Sequence, residues 1–403
     1  MNNDPVPFLD LVAAHANIKD QLMAVLDDAV SSGHFVGGAA VEAFEKEYAS
    51  YCGSSYCVGV NSGTDALRFA LIAAAIPPGS LVLTVPNTFI ATTEAITQAG
   101  ALPAFIDVDE RTHTMDPRAV EKFLDHECRY NESQGQTTHR KSARVVSALL
   151  PVHLYGQMAD MDALRDIADA QGLLVLEDAC QAHGADYFSQ RSNGWSRAGT
   201  MSVAAAFSFY PGKNLGALGE GGAVTTDDAA VADTIRMLRE HGSATKYYHP
   251  IEGYNGRLDA LQAGFLSKKL PLLQGWNDAR RQCAHRYNKM LGSIPGIVTP
   301  FEPAGSRGNY HLYVIQADRR DELQQHVTEH GIGTGLHYPL PLHLQEAYCH
   351  LGYSEGDFPV AEAASKRILS LPMFPALVKE QQERVVKSIL QFAESRTEIP
   401  QPV

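Results

Sequence analysis

From Cys57 to Thr226 the sequence alternates short apolar, β-branched runs with amphipathic stretches, and this alternation restricts the fold more than any other feature. Strands are predicted at Cys57–Val60, Leu81–Val85, Ala104–Ile106, Val145–Leu150, Leu173–Glu177, Val203–Phe207 and Ala223–Thr226, with helices after Thr64, Thr88, Pro117, Asp160 and Asp227. A strand followed repeatedly by a helix implies a mainly parallel sheet covered by helices on both faces, an α/β fold. The polar run from Glu127 to Lys141 reads as a long surface loop. Before the alternating region, Ile18, Leu22, Val25, Leu26 and Ala29 mark one helix and Val41, Phe44 and Tyr48 a second. After it, Leu258 to Gly292 is largely helical. Strands are expected near His311–Gln316 and Gly333–Tyr338, and helices near Asp321–His330, Val360–Leu369 and Lys379–Ser395. The expected division is a large α/β domain over residues 13–258 and a smaller C-terminal α/β domain over 259–403, with residues 1–12 packing on the latter.

A chain of 403 residues, 45% hydrophobic and 20% charged, has the balance of a soluble protein with a large core. Its formal charge of −13 disfavours a nucleic-acid or anionic-membrane partner while leaving room for a basic pocket that takes one phosphorylated small molecule. The polar, acidic start Met1-Asn2-Asn3-Asp4-Pro5 resembles neither a signal nor a transit peptide, and the most apolar window, Ala66–Ile76, falls short of the roughly 18 residues of a spanning helix. A cytoplasmic protein is expected. The six cysteines show no Cys-x-x-Cys or zinc-ligand spacing, so they read as free thiols and no metal is expected.

Functional groups gather where parallel strands end at their carboxyl side. After Phe207 the chain runs Ser208-Phe209-Tyr210-Pro211-Gly212-Lys213-Asn214-Leu215-Gly216, placing one lysine in a glycine-rich loop. A lysine held in such a loop can be desolvated, which lowers its pKa and frees the amine to attack a carbonyl; a plain surface loop is the competing reading. Asn61-Ser62-Gly63-Thr64-Asp65 opens a helix and suits a phosphate at Gly63 and Thr64, or only a helix cap. Leu173–Glu177 runs straight into Asp178, either a functional carboxylate or the cap of the next helix. Phe89, after Val85-Pro86-Asn87-Thr88, is an aromatic that suits a flat ring or the core. An acid, a phosphate cradle and an amine above one sheet are the groups that pyridoxal 5'-phosphate requires.

These segments, with Pro151-Val152-His153-Leu154-Tyr155-Gly156, Glu177-Asp178-Ala179-Cys180-Gln181-Ala182-His183-Gly184 and Gly253-Tyr254-Asn255-Gly256-Arg257-Leu258-Asp259, occur in an order that resembles the DegT/DnrJ/EryC1/StrS family of nucleotide-sugar aminotransferases over almost the whole chain. The resemblance implies a fold-type I pyridoxal-phosphate transferase with a mainly parallel seven-stranded sheet. It implies Lys213 as the Schiff-base lysine, Asp178 facing the pyridine nitrogen, Gln181 near the ring hydroxyl, Gly63, Thr64 and Ser208 at the phosphate, and Phe89 stacked on the ring. It implies a homodimer with shared sites, in which Asn255 serves the neighbouring subunit's phosphate.

As substrate contacts, His337 and Tyr338 in Gly335-Leu336-His337-Tyr338-Pro339 and His343 resemble the family's small-domain segment near the sugar. His183 is a site or packing residue, and Arg257 and Lys246 suit a diphosphate or are solvated charge. Tyr210 and Asn214 around the lysine resemble the branch acting on 3-keto sugars. The expected reaction is transamination of a nucleotide-linked keto sugar such as a dTDP-3-keto-6-deoxyhexose, with glutamate as donor and the cofactor alternating with pyridoxamine phosphate. A UDP-linked 3-keto N-acetylhexosamine, a 4-keto sugar, or a non-catalytic sugar-binding or regulatory protein on the same fold remain as alternatives.

Overall fold

The computed structural model describes residues 4–395. Eleven strands precede residue 230: β1 (Tyr56–Val60), β2 (Leu81–Thr84), β3 (Leu102–Phe105), β4 (Cys128–Asn131), β5 (Gln136–His139), β6 (Val145–Leu149), β7 (Leu174–Asp178), β8 (Asp186–Ser189), β9 (Gly194–Arg197), β10 (Ala204–Ser208) and β11 (Gly222–Thr226). Nine of them form the central sheet, seven in the order β1-β11-β10-β7-β6-β2-β3 with β4 and β5 attached at β6. The β10/β7, β7/β6, β6/β2 and β2/β3 pairs are parallel, and of the seven only β11 runs antiparallel to its neighbours β1 and β10. Strand alternation divides the interior: Ala205 and Phe207 of β10 join one core while Ala204 and Ala206 join the other, as Leu83 and Val82 do in β2. Both faces are therefore buried, which is why these strands are apolar throughout.

The crossover helices begin where the sequence places them. Asp116, Asp160 and Asp228 each accept a hydrogen bond from a first-turn backbone N–H, capping Pro117–Glu127, Met161–Gln171 and Ala229–Arg239. With β7 and β10 side by side and parallel, Asp178 and Ser208 come to the same edge of the sheet, and the lysine loop closes between β10 and β11 there.

A separate core assembles around β14 (Tyr313–Ala317), flanked by β12 (Ile297–Val298) and β15 (Ile368–Leu371), all antiparallel. It includes Tyr287, Tyr313, Val327, Val385 and, from the other end of the chain, Val6, which pairs with Ile332. Helix Ala260–Lys269, by contrast, buries Ala263 and Leu266 in a core of the central sheet.

Three local expectations are corrected. The polar run 127–141 is a hairpin, β4/β5, whose Thr137 and Thr138 pair with the start of β6; alternating polar strands at a sheet border lack the apolar signature of a core strand. A second polar hairpin, β8/β9, pairs with β13 (Ser306–Arg307). The strand expected at Gly333–Tyr338 is reduced to one bridge from Gly335 to Ser370, because the adjacent strand position belongs to β15. The helix Pro359–Arg367 stops before β15, whose Ile368, Leu369, Ser370 and Leu371 are all buried. No helix among the described residues is long and apolar enough to cross a membrane.

Candidate active site

The loop after β10 is held by its own backbone. Phe209 N–H donates to the Gly221 carbonyl at 2.7 Å, Ala217 N–H to the Phe209 carbonyl at 2.7 Å, and Lys213 N–H to the Tyr210 carbonyl at 2.8 Å. A Cβ at Gly216 would lie 2.3 Å from the Pro211 carbonyl oxygen, so the tight return of the chain requires glycine there. Burial lowers the Lys213 amine from its usual pKa, while Cys180 and Asp178 pull it in the opposite direction.

Asp178 ends β7 and is 5% exposed. Its Oδ2 accepts from the Thr92 hydroxyl at 2.7 Å and its Oδ1 from the Cys180 N–H at 3.2 Å. Thr92 spends its only proton on Asp178, so the 2.9 Å contact between Thr88 Oγ1 and Thr92 Oγ1 has Thr88 donating. The neighbouring acid has a structural task. Burial by itself would raise the pKa of Glu177, but His153, the Gly199 N–H and Ser202 outweigh it and hold the carboxyl below its usual range. Its four partners, His153 Nε2, the Gly199 and Met201 N–H groups and Ser202 Oγ, lie at 2.8–2.9 Å.

At one end of the cleft, Ser62 caps the helix Gly63–Ala73 by accepting from Asp65 N–H at 3.1 Å. This helix start lies against β10 so closely that a Cβ on Gly63 would sit 2.5 Å from Ser208 Cβ. A Cβ on Gly222 would sit 2.2 Å from the Ser62 carbonyl oxygen. Gly63, Thr64 and Ser208 thus share one corner, at the positive end of a helix dipole.

The opposite wall is C-terminal. Gln181 Nε2 donates to the Tyr338 hydroxyl at 3.2 Å and Gln181 Oε1 accepts from Tyr155 N–H at 2.6 Å, while the Tyr155 hydroxyl donates to the His337 carbonyl. Tyr338 packs beside Phe89 with ring centroids 5.7 Å apart. His337 contacts Ser370 Oγ at 2.8 Å through Nδ1 and stacks on Phe8 at 5.7 Å, and burial together with Lys213 pushes its pKa down to about 4. The resulting cleft has a volume of about 680 Å³ and brings together Gly63, Thr64, Phe89, Asp178, Gln181, Ser208, Tyr210, Lys213, His337 and Tyr338.

Five sequence candidates lie elsewhere. His183 is fully buried against Phe207 and Phe209, and both ring nitrogens lack a partner; burial, followed by Lys213, pushes its pKa down to about 3. It packs beneath the site and does not line the cleft. His343 is buried beside Phe358 and Phe105, with Nε2 3.0 Å from Glu362 Oε1, so it is a core residue. Asn255 is exposed, and its Oδ1 accepts from Arg257 at 2.7 Å; Arg257 also pairs with Glu240 at 2.9 Å. Lys246 is exposed over the Tyr247 ring. Conversely, Thr92, His311 and the N-terminal Phe8 and Leu9 belong to the cleft, although none stands in the strand-end motifs that pointed to the rest.

The DegT/DnrJ/EryC1/StrS aminotransferase family model matches residues 16–390. A Geobacillus stearothermophilus protein named a pleiotropic regulatory protein is 44% identical over 96% of this chain and 98% of its own. The dTDP-3-amino-3,4,6-trideoxy-alpha-D-glucose transaminase of Streptomyces venezuelae is 42% identical over 96% of each chain. The crystal structure of S. venezuelae DesV in complex with a ketimine intermediate superposes with a TM-score of 0.89 at 42% identity, covering 97% of this chain and 99% of that one. The protein belongs to the DegT/DnrJ/EryC1/StrS aminotransferase family and is a pyridoxal-phosphate-dependent aminotransferase.

Proposed function

We propose that the protein transfers the amino group of glutamate to a nucleotide-linked 3-keto sugar, of which a dTDP-3-keto-6-deoxyhexose is the foremost candidate. The observation that carries this is Lys213, an amine lowered by burial, sharing a cleft with the buried Asp178 and with a glycine-lined helix start. These residues fit pyridoxal phosphate: the corner that a Cβ on Gly63 would fill suits the phosphate, and the carboxyl of Asp178 suits the ring nitrogen. When bound, the cofactor supplies an aldehyde for condensation with amines and a ring that takes up electrons. In this reading Lys213 Nζ first holds the aldehyde, then takes and returns the α-proton of the donor as general base and acid. Asp178 holds the ring nitrogen protonated, Gln181 stands by the ring hydroxyl, Gly63, Thr64 and Ser208 hold the phosphate, and Phe89 packs on the ring. Tyr210, His337 and Tyr338 line the sugar side.

The proposal includes a homodimer. Asn255 lies outside its own cleft, so a phosphate contact from it would fall in a second copy, and Phe89 and Tyr210, each 54% exposed in the single chain, leave the cleft open on one side. It also includes a cytoplasmic location and the division into a large domain, 13–258, and a small one, 259–403, joined by residues 1–12. The separate core around β14, with Val6 in it, supports a second unit carrying the N-terminal residues, while helix Ala260–Lys269 packs with the first. Residues 1–3 and 396–403 of these ranges lie outside the described residues. A regulatory protein is the reading suggested by the name of the Geobacillus relative, and the retention of Lys213, Asp178 and Gln181 in one cleft argues against loss of chemistry.

The test is a mass-spectrometric product assay of cofactor-loaded protein with glutamate. It offers, separately, a dTDP-3-keto-6-deoxyhexose, a UDP-3-keto N-acetylhexosamine and a dTDP-4-keto sugar. An amino sugar from the first, absent with Lys213→Ala, is the expected result. Product only from the 4-keto sugar would overturn the use of Tyr210 and Asn214, and product only from the UDP sugar would reassign the nucleotide.

A further inference from the structure

Three buried asparagines, Asn214, Asn277 and Asn309, connect the lysine loop to the C-terminal wall. Asn214 Nδ2 approaches the Asn309 carbonyl oxygen at 3.2 Å and Asn277 Oδ1 at 2.9 Å. The Asn309 carbonyl can only accept, so the amide of Asn214 has one permitted orientation, with Nδ2 toward Asn309. Asn277 is fixed in the same manner, because its Nδ2 donates to the His183 carbonyl at 2.8 Å and its Oδ1 therefore faces Asn214. With its nitrogen committed, Asn214 turns Oδ1 toward His311 Nδ1, 3.2 Å away. An amide oxygen cannot donate, so the proton of that bond sits on His311 Nδ1. The backbone of His311 is held as well, its N–H donating to Asn309 Oδ1 at 3.0 Å.

The other ring nitrogen is left with a lone pair. His311 lines the cleft that holds Lys213, and its Nε2 has no protein partner and is not among the enclosed unpartnered atoms, so it opens onto that cleft. Burial, then Lys213, Arg280, His183 and His337 around it, all disfavour an imidazolium, and no carboxylate is bonded to the ring. A group so disposed is a poor base and a persistent neutral acceptor.

We propose that His311 is a specificity-determining residue of the sugar half-reaction, its Nε2 accepting a hydrogen bond from a hydroxyl of the keto-sugar substrate. This rests on the aminotransferase reading above. Of the two substrates in that reading, glutamate brings carboxylates, which have no proton to give to a bare acceptor, and one amine, which the reaction commits to the cofactor aldehyde, whereas the sugar brings hydroxyls. A buried acceptor that selects for a hydroxyl discriminates against analogues lacking it, since they leave the acceptor unpaired.

Two measurements test this on the cofactor-loaded protein. In long-range 1H–15N correlation spectra, assigned by the signals lost in His311→Phe, His311 should show a protonated Nδ1 and a bare Nε2 from pH 6 to 8. Single-turnover kinetics should then separate the halves. His311→Phe should raise KM for the dTDP-3-keto-6-deoxyhexose roughly tenfold, the loss of about one hydrogen bond, and leave the glutamate half-reaction within about twofold. His311→Gln, which keeps an acceptor, should recover most of that loss and guards against a variant that merely folds poorly. A proton found on Nε2, or equal losses in both halves for His311→Phe, overturns the proposal. Native protein inert to glutamate would overturn the aminotransferase reading instead, and the two failures are distinct because the imidazole spectrum is recorded without substrate.

Discussion

Replacing Thr92 by valine removes a hydroxyl without changing the shape of the side chain, and the structure specifies what is lost. Thr92 is 1% exposed, and its hydroxyl supplies the shorter of the two hydrogen bonds that Asp178 receives. A hydrogen bond to a charged acceptor contributes about 1.5–3 kcal/mol. The Thr88 hydroxyl, which donates to Thr92, loses its acceptor as well. We expect Thr92→Val to weaken cofactor binding through a mispositioned Asp178 by about 2 kcal/mol, roughly 30-fold in Kd. The Kd is measured by titrating the stripped protein with pyridoxal phosphate and following the visible absorbance of the bound form. Thr92→Ser keeps the hydroxyl and should stay within about threefold of native. If Thr92→Val binds as tightly as native, or if the serine variant is as impaired as valine, Thr92 does not act through Asp178.

Other residues give equally direct outcomes. Gly63→Ala should weaken cofactor binding at least tenfold with the fold retained by circular dichroism, since its Cβ would stand 2.5 Å from Ser208 Cβ and overpacking costs about 1–3 kcal/mol. His343→Leu should lower stability to urea yet leave KM for the keto sugar within about twofold, because His343 meets Glu362 and the core rather than the cleft. Lys269 is buried with its amine on the Gly216 carbonyl at 2.7 Å and His15 Nε2 at 2.8 Å, and burial pushes its pKa down to about 8. The unfolded chain therefore binds the extra proton between pH 8 and about 10.4, so this lysine lowers stability fully below pH 8 and progressively less as pH rises through that window. Urea unfolding at pH 7.5 and pH 10 should show native protein gaining about 2 kcal/mol relative to Lys269→Met; equal pH dependence in the two would refute it.

What was legible in the sequence follows from which signals are local. The central sheet was readable because strands buried on both faces are continuous apolar runs, and Lys213, Asp178 and Gly63 were readable because each stands within five residues of a strand end. The polar hairpins β4/β5 and β8/β9 were not, since a border strand with one wet face carries no apolar run and its pairing partner is distant in sequence. Histidines were the least legible. His183 follows Asp178 by five residues and resembles a site residue, yet it lies under Phe207 and Phe209; His343 follows the His337–Tyr338 segment and is consumed by Glu362.

His311 shows why the difference matters for chemistry. In the sequence it is one polar residue at the start of an expected strand, indistinguishable from an edge residue. Its role depends on Asn214, which is 97 positions away, on Asn277, and on a backbone carbonyl at Asn309. The carbonyl orients the amide, the amide places the proton, and the proton's position decides which ring nitrogen meets the cleft. Asn214 thereby has a physical reason to follow the lysine: it relays the fixed polarity of the C-terminal wall to the residue that faces the sugar side, so that the loop carrying the amine and the group reading the acceptor substrate are held in one network.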